Sequence, residues 1–119
     1  MQLPDVNVLI YAHREDAPEH ERYAAWLRAL TESDEPFAVS EGVLASVLRI
    51  VTNPRIFDPP TPTDVAIAFC QRLVDWPRAV MVVPSRRRWD IFTALCANIR
   101  GPLVADAYLA ALAIEQDVS

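Results

Sequence analysis

The stretch Leu3-Pro4-Asp5-Val6-Asn7-Val8-Leu9-Ile10-Tyr11-Ala12 decides how the rest of the chain is read. The β-branched and aromatic residues between Val6 and Tyr11 have the propensity to extend a first strand. A carboxylate inside apolar sequence is costly to bury unless something pairs with it or coordinates it. The far end of the chain repeats the pattern in Leu103-Val104-Ala105-Asp106-Ala107-Tyr108-Leu109-Ala110-Ala111-Leu112-Ala113-Ile114. Two such acids, bracketing the chain, suggest a metal site assembled by folding.

Between them, hydrophobic periodicity sets out the elements. Tyr23, Trp26, Leu27 and Leu30 recur at helical spacing within a helix over residues 18–30. Phe37-Ala38-Val39 reads as a short buried strand. A helix follows from Glu41, with Ser40 as N-cap and Val43, Leu44, Val47, Leu48 and Val51 on one face, and Asn53-Pro54 ends it. Asp58-Pro59-Pro60-Thr61-Pro62 is a stiff connector. Thr61 then offers an N-cap with Pro62 at the first helical position, opening a helix with Val65, Phe69 and Leu73 on one stripe. Residues 79–83 form an apolar strand, and a helix runs from about Arg86 to Asn98. Gly101-Pro102 breaks the chain before a last helix that is apolar nearly all round, the mark of a central, buried helix. Strands apolar on both faces and alternating with helices imply an α/β fold, a central parallel sheet flanked by helices.

Composition sets the limits. The 119 residues fit one domain spanning 1–119, and 52% hydrophobic with 23% charged residues is ordinary for a soluble globule. The apolar runs are too short to cross a membrane, and the first segment has no basic leader, so a cytoplasmic protein with no membrane partner is expected. Cys70 and Cys96 fall in helical patterns and read as buried small hydrophobes. His13 and His20 fall in the first connection, where exposure is expected. All 11 basic residues are arginine, and the net charge of −5 argues against nucleic-acid binding through a broad basic surface. A metal-filled acidic cleft would still neutralise phosphate locally. Nucleotide-binding glycine loops are excluded, since Gly42 and Gly101 are the only glycines. An aspartyl phosphatase would need a second acid where Asn7 stands, and no Ser or Cys shows a partner base.

The opening Pro4-Asp5-Val6-Asn7-Val8-Leu9-Ile10-Tyr11-Ala12 resembles the start of a PIN-domain nuclease, and more narrowly of the VapC toxins of bacterial type II toxin–antitoxin pairs. Ser40-Glu41-Gly42-Val43-Leu44 and the run from Leu48-Arg49-Ile50-Val51-Thr52-Asn53-Pro54 to Phe57 resemble a VapC subgroup. Arg88-Trp89-Asp90-Ile91 and Leu103-Val104-Ala105-Asp106-Ala107 resemble it too. These matches fall in the right order over essentially the whole chain. The resemblance implies a PIN-like fold in which the first strand ends at Asp5, where ligand sites of open parallel sheets gather, and a short helix starts near Asn7. It implies a Mg-dependent ribonuclease hydrolysing RNA phosphodiester bonds, with single-stranded stretches of tRNA or rRNA as substrate. It also implies a homodimer and a cognate VapB-like antitoxin that blocks the acidic cleft.

Under that fold Asp5, Glu41 and Asp106 converge as the catalytic acids, with Asp5 and Asp106 as metal ligands. Glu41 lies at a helix N-terminus and Asp106 in the first turn of the last helix, where the macrodipole favours negative charge. Clustered carboxylates repel one another and call for a cation, and oxygen ligands without His or Cys select Mg²⁺ or Mn²⁺. Many PIN nucleases carry the second acid mid-helix, where this chain has Ala45-Ser46-Val47-Leu48. Glu41 either substitutes from one turn earlier or is only a first-turn acid. Asn7 either hydrogen-bonds Asp5 or a metal-bound water, or is a plain N-cap. Arg86-Arg87-Arg88 opposes the macrodipole at a helix start, so RNA phosphate and solvation or pairing with Asp90 are its two readings. Arg49, near the end of its helix, is a weaker substrate candidate, and Trp89 and Asp90 read as packing and first-turn chemistry.

The pattern departs from the family at the C-terminus. PIN toxins usually continue into another strand and an acidic Thr-Asp-Arg-Asp-like segment, whereas this chain stops at Gln116-Asp117-Val118-Ser119. Asp117 lies about 16 Å from Asp106 along one helix and cannot replace a ligand there. The alternative expectation is therefore a truncated or degenerate PIN module, non-catalytic, that dimerises or binds antitoxin.

Overall fold

The structure, a computed structural model, describes residues 1–83, 86–97 and 102–116. Its elements in chain order are α1 (Val6–His13), α2 (His20–Glu32), β1 (Phe37–Ser40), α3 (Glu41–Val51), α4 (Thr63–Val74), β2 (Ala79–Val82), α5 (Arg86–Cys96) and α6 (Pro102–Gln116). β1 and β2 pair in parallel, Phe37 opposite Ala79 and Ser40 opposite Val82. A parallel pair needs a long crossover, and α3 and α4 supply it. The expected α/β architecture is present, with helices flanking a parallel sheet.

The core sits where α1, α3 and α4 close over β1, around Leu9, Ile10, Phe37, Val43, Val47, Val51, Phe69 and Leu73. All four β1 residues are buried. That burial leaves β1 dependent on backbone partners at both edges. β2 serves one, and on the other the Ala38 amide donates to the Gln2 carbonyl at 2.7 Å. Among the described residues this N-terminal segment is not itself a strand, so the strand expected to end at Asp5 is reduced to a single tie. Pro4, which has no N–H, cannot extend a ladder there.

Several other expectations are corrected. α4 begins at Thr63 with Pro62 at its N-cap and no side-chain cap, because the Thr61 hydroxyl is engaged by His13 and Arg14 instead. Its buried face is Ala66, Phe69, Cys70 and Leu73, and Val65 is exposed. β2 is not apolar-buried on both faces, since Val80 and Met81 are 41% and 40% exposed. α6 packs on α5 rather than lying buried all round: Ala107 and Ala111 are buried, whereas Asp106 and Ile114 are exposed. Cys70 is buried and Cys96 half-buried, both as free thiols. Asn98, the expected end of α5, and Asp117 lie outside the described residues.

Candidate active site

α1 starts where the backbone passes Asp5, whose carboxylate caps the helix by accepting the Val8 amide at 3.0 Å. Asn7 is therefore not the cap; it is an exposed residue of the first turn. α3 starts in the same manner, with Ser40 Oγ accepting the Val43 amide at 3.3 Å and Glu41 as the first helical residue, exposed. Pro4 and Leu9 line one small cavity together with Ser40, Val43 and Leu44. The N-terminal ends of α1 and α3 thus lie side by side, each presenting an exposed acid at the carboxyl side of β1.

Asp106 is exposed on α6, at its fifth residue, so it lies past the first turn. Leu109, three positions further on, is partly buried and packs against the hydrophobic core. Among the described residues no group of three or more His, Cys, Asp and Glu side chains lies together as a metal cluster, and Asp5, Glu41 and Asp106 are not gathered into one. In donor type the three exposed carboxylates suit a hard divalent cation, and only Asp5 and Glu41 stand at helix starts. Arg49 is exposed in the last turn of α3. Arg86 and Arg87 are exposed on the first turn of α5, and Arg86 lies 3.9 Å from Asp90.

Two constellations carry no obvious signal in the sequence. The first closes the far end of α1. His13 Nε2 meets Thr61 Oγ1 at 3.1 Å, Arg14 Nη1 donates to the same oxygen at 3.2 Å, and Arg14 also grips Asp16 at 2.6 Å. The Arg14 guanidinium lies 4.4 Å over the Phe57 ring, and the His13 ring lies 4.7 Å from Phe69. Burial lowers the His13 pKa, with Arg14, Arg72 and His20 pushing the same way. His20 Nδ1 meets the Tyr11 carbonyl at 2.8 Å, so neither histidine is the free surface residue expected. The second constellation joins α5 to α6 through Arg88, Trp89, Phe92 and Tyr108.

Helices packed over a parallel strand pair, with Asp5 and Glu41 at the starts of α1 and α3, define a protein of the α/β class. The PIN domain profile matches residues 3–119, and the chain belongs to the PIN-domain family. It is 40% identical over 117 residues to VapC ribonuclease Mb2897 of Mycobacterium bovis, covering 97% of this chain and 80% of the relative. It is 41% identical over 117 residues to ribonuclease VapC25 of Mycobacterium tuberculosis, covering 97% and 82%. A solved structure of VapBC2 from Rickettsia felis, bound to a DNA fragment from their promoter, shares the fold with TM-score 0.64 at 18% identity, covering 98% of this chain and 82% of that one.

Proposed function

We propose that this protein is the toxin half of a type II toxin–antitoxin pair, a VapC-type ribonuclease that hydrolyses RNA phosphodiester bonds with Asp5, Glu41 and Asp106 as its acids. The single observation that carries the reading is the family match over residues 3–119, joined to Asp5 and Glu41 at adjoining helix starts. Each relative cited is named a ribonuclease, which favours catalysis over the degenerate, non-catalytic alternative.

The family works with a divalent metal, and here Mg²⁺ or Mn²⁺ would be held by Asp5 and Asp106, supplying Lewis acidity to phosphoryl oxygens and a more acidic bound water. Asp5 is oriented by its bond to the Val8 amide, which leaves its other oxygen for a ligand. Glu41, one residue past β1, accepts a proton or completes the ligand set. Asn7 steadies Asp5 or a water beside it. Arg49, Arg86, Arg87 and Arg88 are the cations available to hold the RNA backbone. A VapB-like antitoxin covering the acids and a homodimeric state complete the assignment, the former supported by the toxin–antitoxin pairing named for the Rickettsia felis neighbour. Among the described residues no helix is long and apolar enough to cross a membrane, and a cytoplasmic location accords with an RNA substrate.

The test is metal-dependent cleavage of single-stranded RNA. Asp5→Asn and Asp106→Asn should each abolish cleavage with the far-ultraviolet circular dichroism unchanged, and Glu41→Gln should reduce it less. Full cleavage by either Asp variant, or cleavage undiminished by chelation, would overturn the assignment.

A further inference from the structure

We infer that Trp89 is a stacking platform for an unpaired base of the RNA, with Arg88 locked beside it to meet the backbone. The inference rests on the ribonuclease reading and names a binding residue for that same site. Trp89 reads from sequence as packing, yet it is 53% exposed on the first turn of α5. A tryptophan that packs for stability buries most of its ring. This one instead rests one edge on a ladder: its ring centroid is 5.8 Å from that of Phe92, which lies 5.5 Å edge-on from Tyr108 of α6. The ladder fixes the indole in place while leaving it open to solvent. A preset aromatic face is what an unpaired base stacks on, and any base will do because each has a π-face.

The surrounding charge selects a polyanion. Arg86, Arg87, Arg88 and Asp90 sum to +2 within one turn or so, on a chain whose total is −5. Positive charges at a helix N-terminus oppose the macrodipole, so the cluster is not there to stabilise α5. Arg88 is held 4.9 Å over the Tyr108 ring and 6.0 Å from the Trp89 ring. Its Nε is covered without a hydrogen-bond partner among the described residues. A guanidinium held by rings keeps its outer donors in a fixed direction, suited to a phosphate. Tyr108 stands two positions after Asp106 on α6, so the patch and that acid share one helix pair. An acidic protein segment could satisfy the arginines but would not require an open indole face. Single-stranded RNA uses both.

The test uses a fluorescently labelled single-stranded RNA of about ten nucleotides, a length within the span of known stacking grooves, titrated into the full chain with EDTA present to stop cleavage. Trp89→Leu should weaken binding by about tenfold, and Trp89→Phe by much less, since one aromatic face remains. Neither should change the slope of affinity against salt, because no phosphate contact is lost. RNA should also quench the parent's tryptophan emission more than that of Trp89→Phe. Equal affinity of parent and Trp89→Leu, in a protein whose cleavage still depends on Asp5, would overturn the platform and leave the ribonuclease standing. A parent that neither binds nor cleaves RNA would bring down both. Loss of self-association in Trp89→Leu with RNA affinity intact would make the ring a protein contact and also overturn it.

Discussion

At Asp5 one carboxylate oxygen accepts the Val8 amide, a bond that an Asn side chain can also make. Asp5→Asn should therefore keep the stability of the parent while losing cleavage, whereas Asp5→Ala should lose cleavage and about 1 kcal/mol of stability as well. Denaturant melts of the two variants separate the cap from the chemistry. At the other end of α1, Thr61 Oγ1 accepts from Arg14 and pairs with His13 Nε2. Burial keeps the His13 pKa below its usual value of about 6.5. In the unfolded chain His13 binds its proton near that pH; in the folded chain it does so only at lower pH. Over that interval the unfolded state holds more protons, so stability should fall as pH drops through about 6.5 and level off below the folded value. His13→Gln should flatten this part of the curve, measured as the urea midpoint against pH. A profile unchanged by the substitution would assign the pH response to other groups.

Among the elements, α3 was the most legible. Its cap Ser40, its buried face and its end before Asn53-Pro54 all follow from side-chain chemistry within the segment, and local signals of that kind need no tertiary knowledge. Ser40→Ala should cost about 1 kcal/mol, because its hydroxyl is buried and holds the Val43 amide. A thermal shift of less than about 1 °C would mean that another group takes over the cap. The start of α4 was not legible, since the competing partners of Thr61 come from residues far away in sequence. The same holds for α6: its apolar composition suggested a buried helix, but packing on α5 decides which of its faces is covered. Asp5 and Asp106 were visible as acids in apolar runs. Their distance from one another depends on how α6 sits, and that is not written in either segment.

For the molecule as a whole, charge limits how RNA can be held. With a total of −5, only local arginines oppose phosphate repulsion. If Arg86, Arg87 and Arg88 each engage one phosphate, log affinity should fall with log salt at a slope of about −2, from the single-strand value per contact. The triple Ala variant should bring that slope close to zero, and a slope left unchanged would return the cluster to solvent. One consequence of the parallel pairing concerns time. β1 is made before the whole α3–α4 crossover, and β2 follows only after it. At ordinary translation speeds the ribosome takes roughly 2–8 s to deliver β2 after β1 has been made. During that wait Phe37, fully buried in the finished protein, lacks its β2 neighbour Ala79 and is sheltered by the N-terminal tie from Ala38 to Gln2 and the helices already made. The interval before β2 arrives is when a nascent chain of this fold is most open to capture by a chaperone.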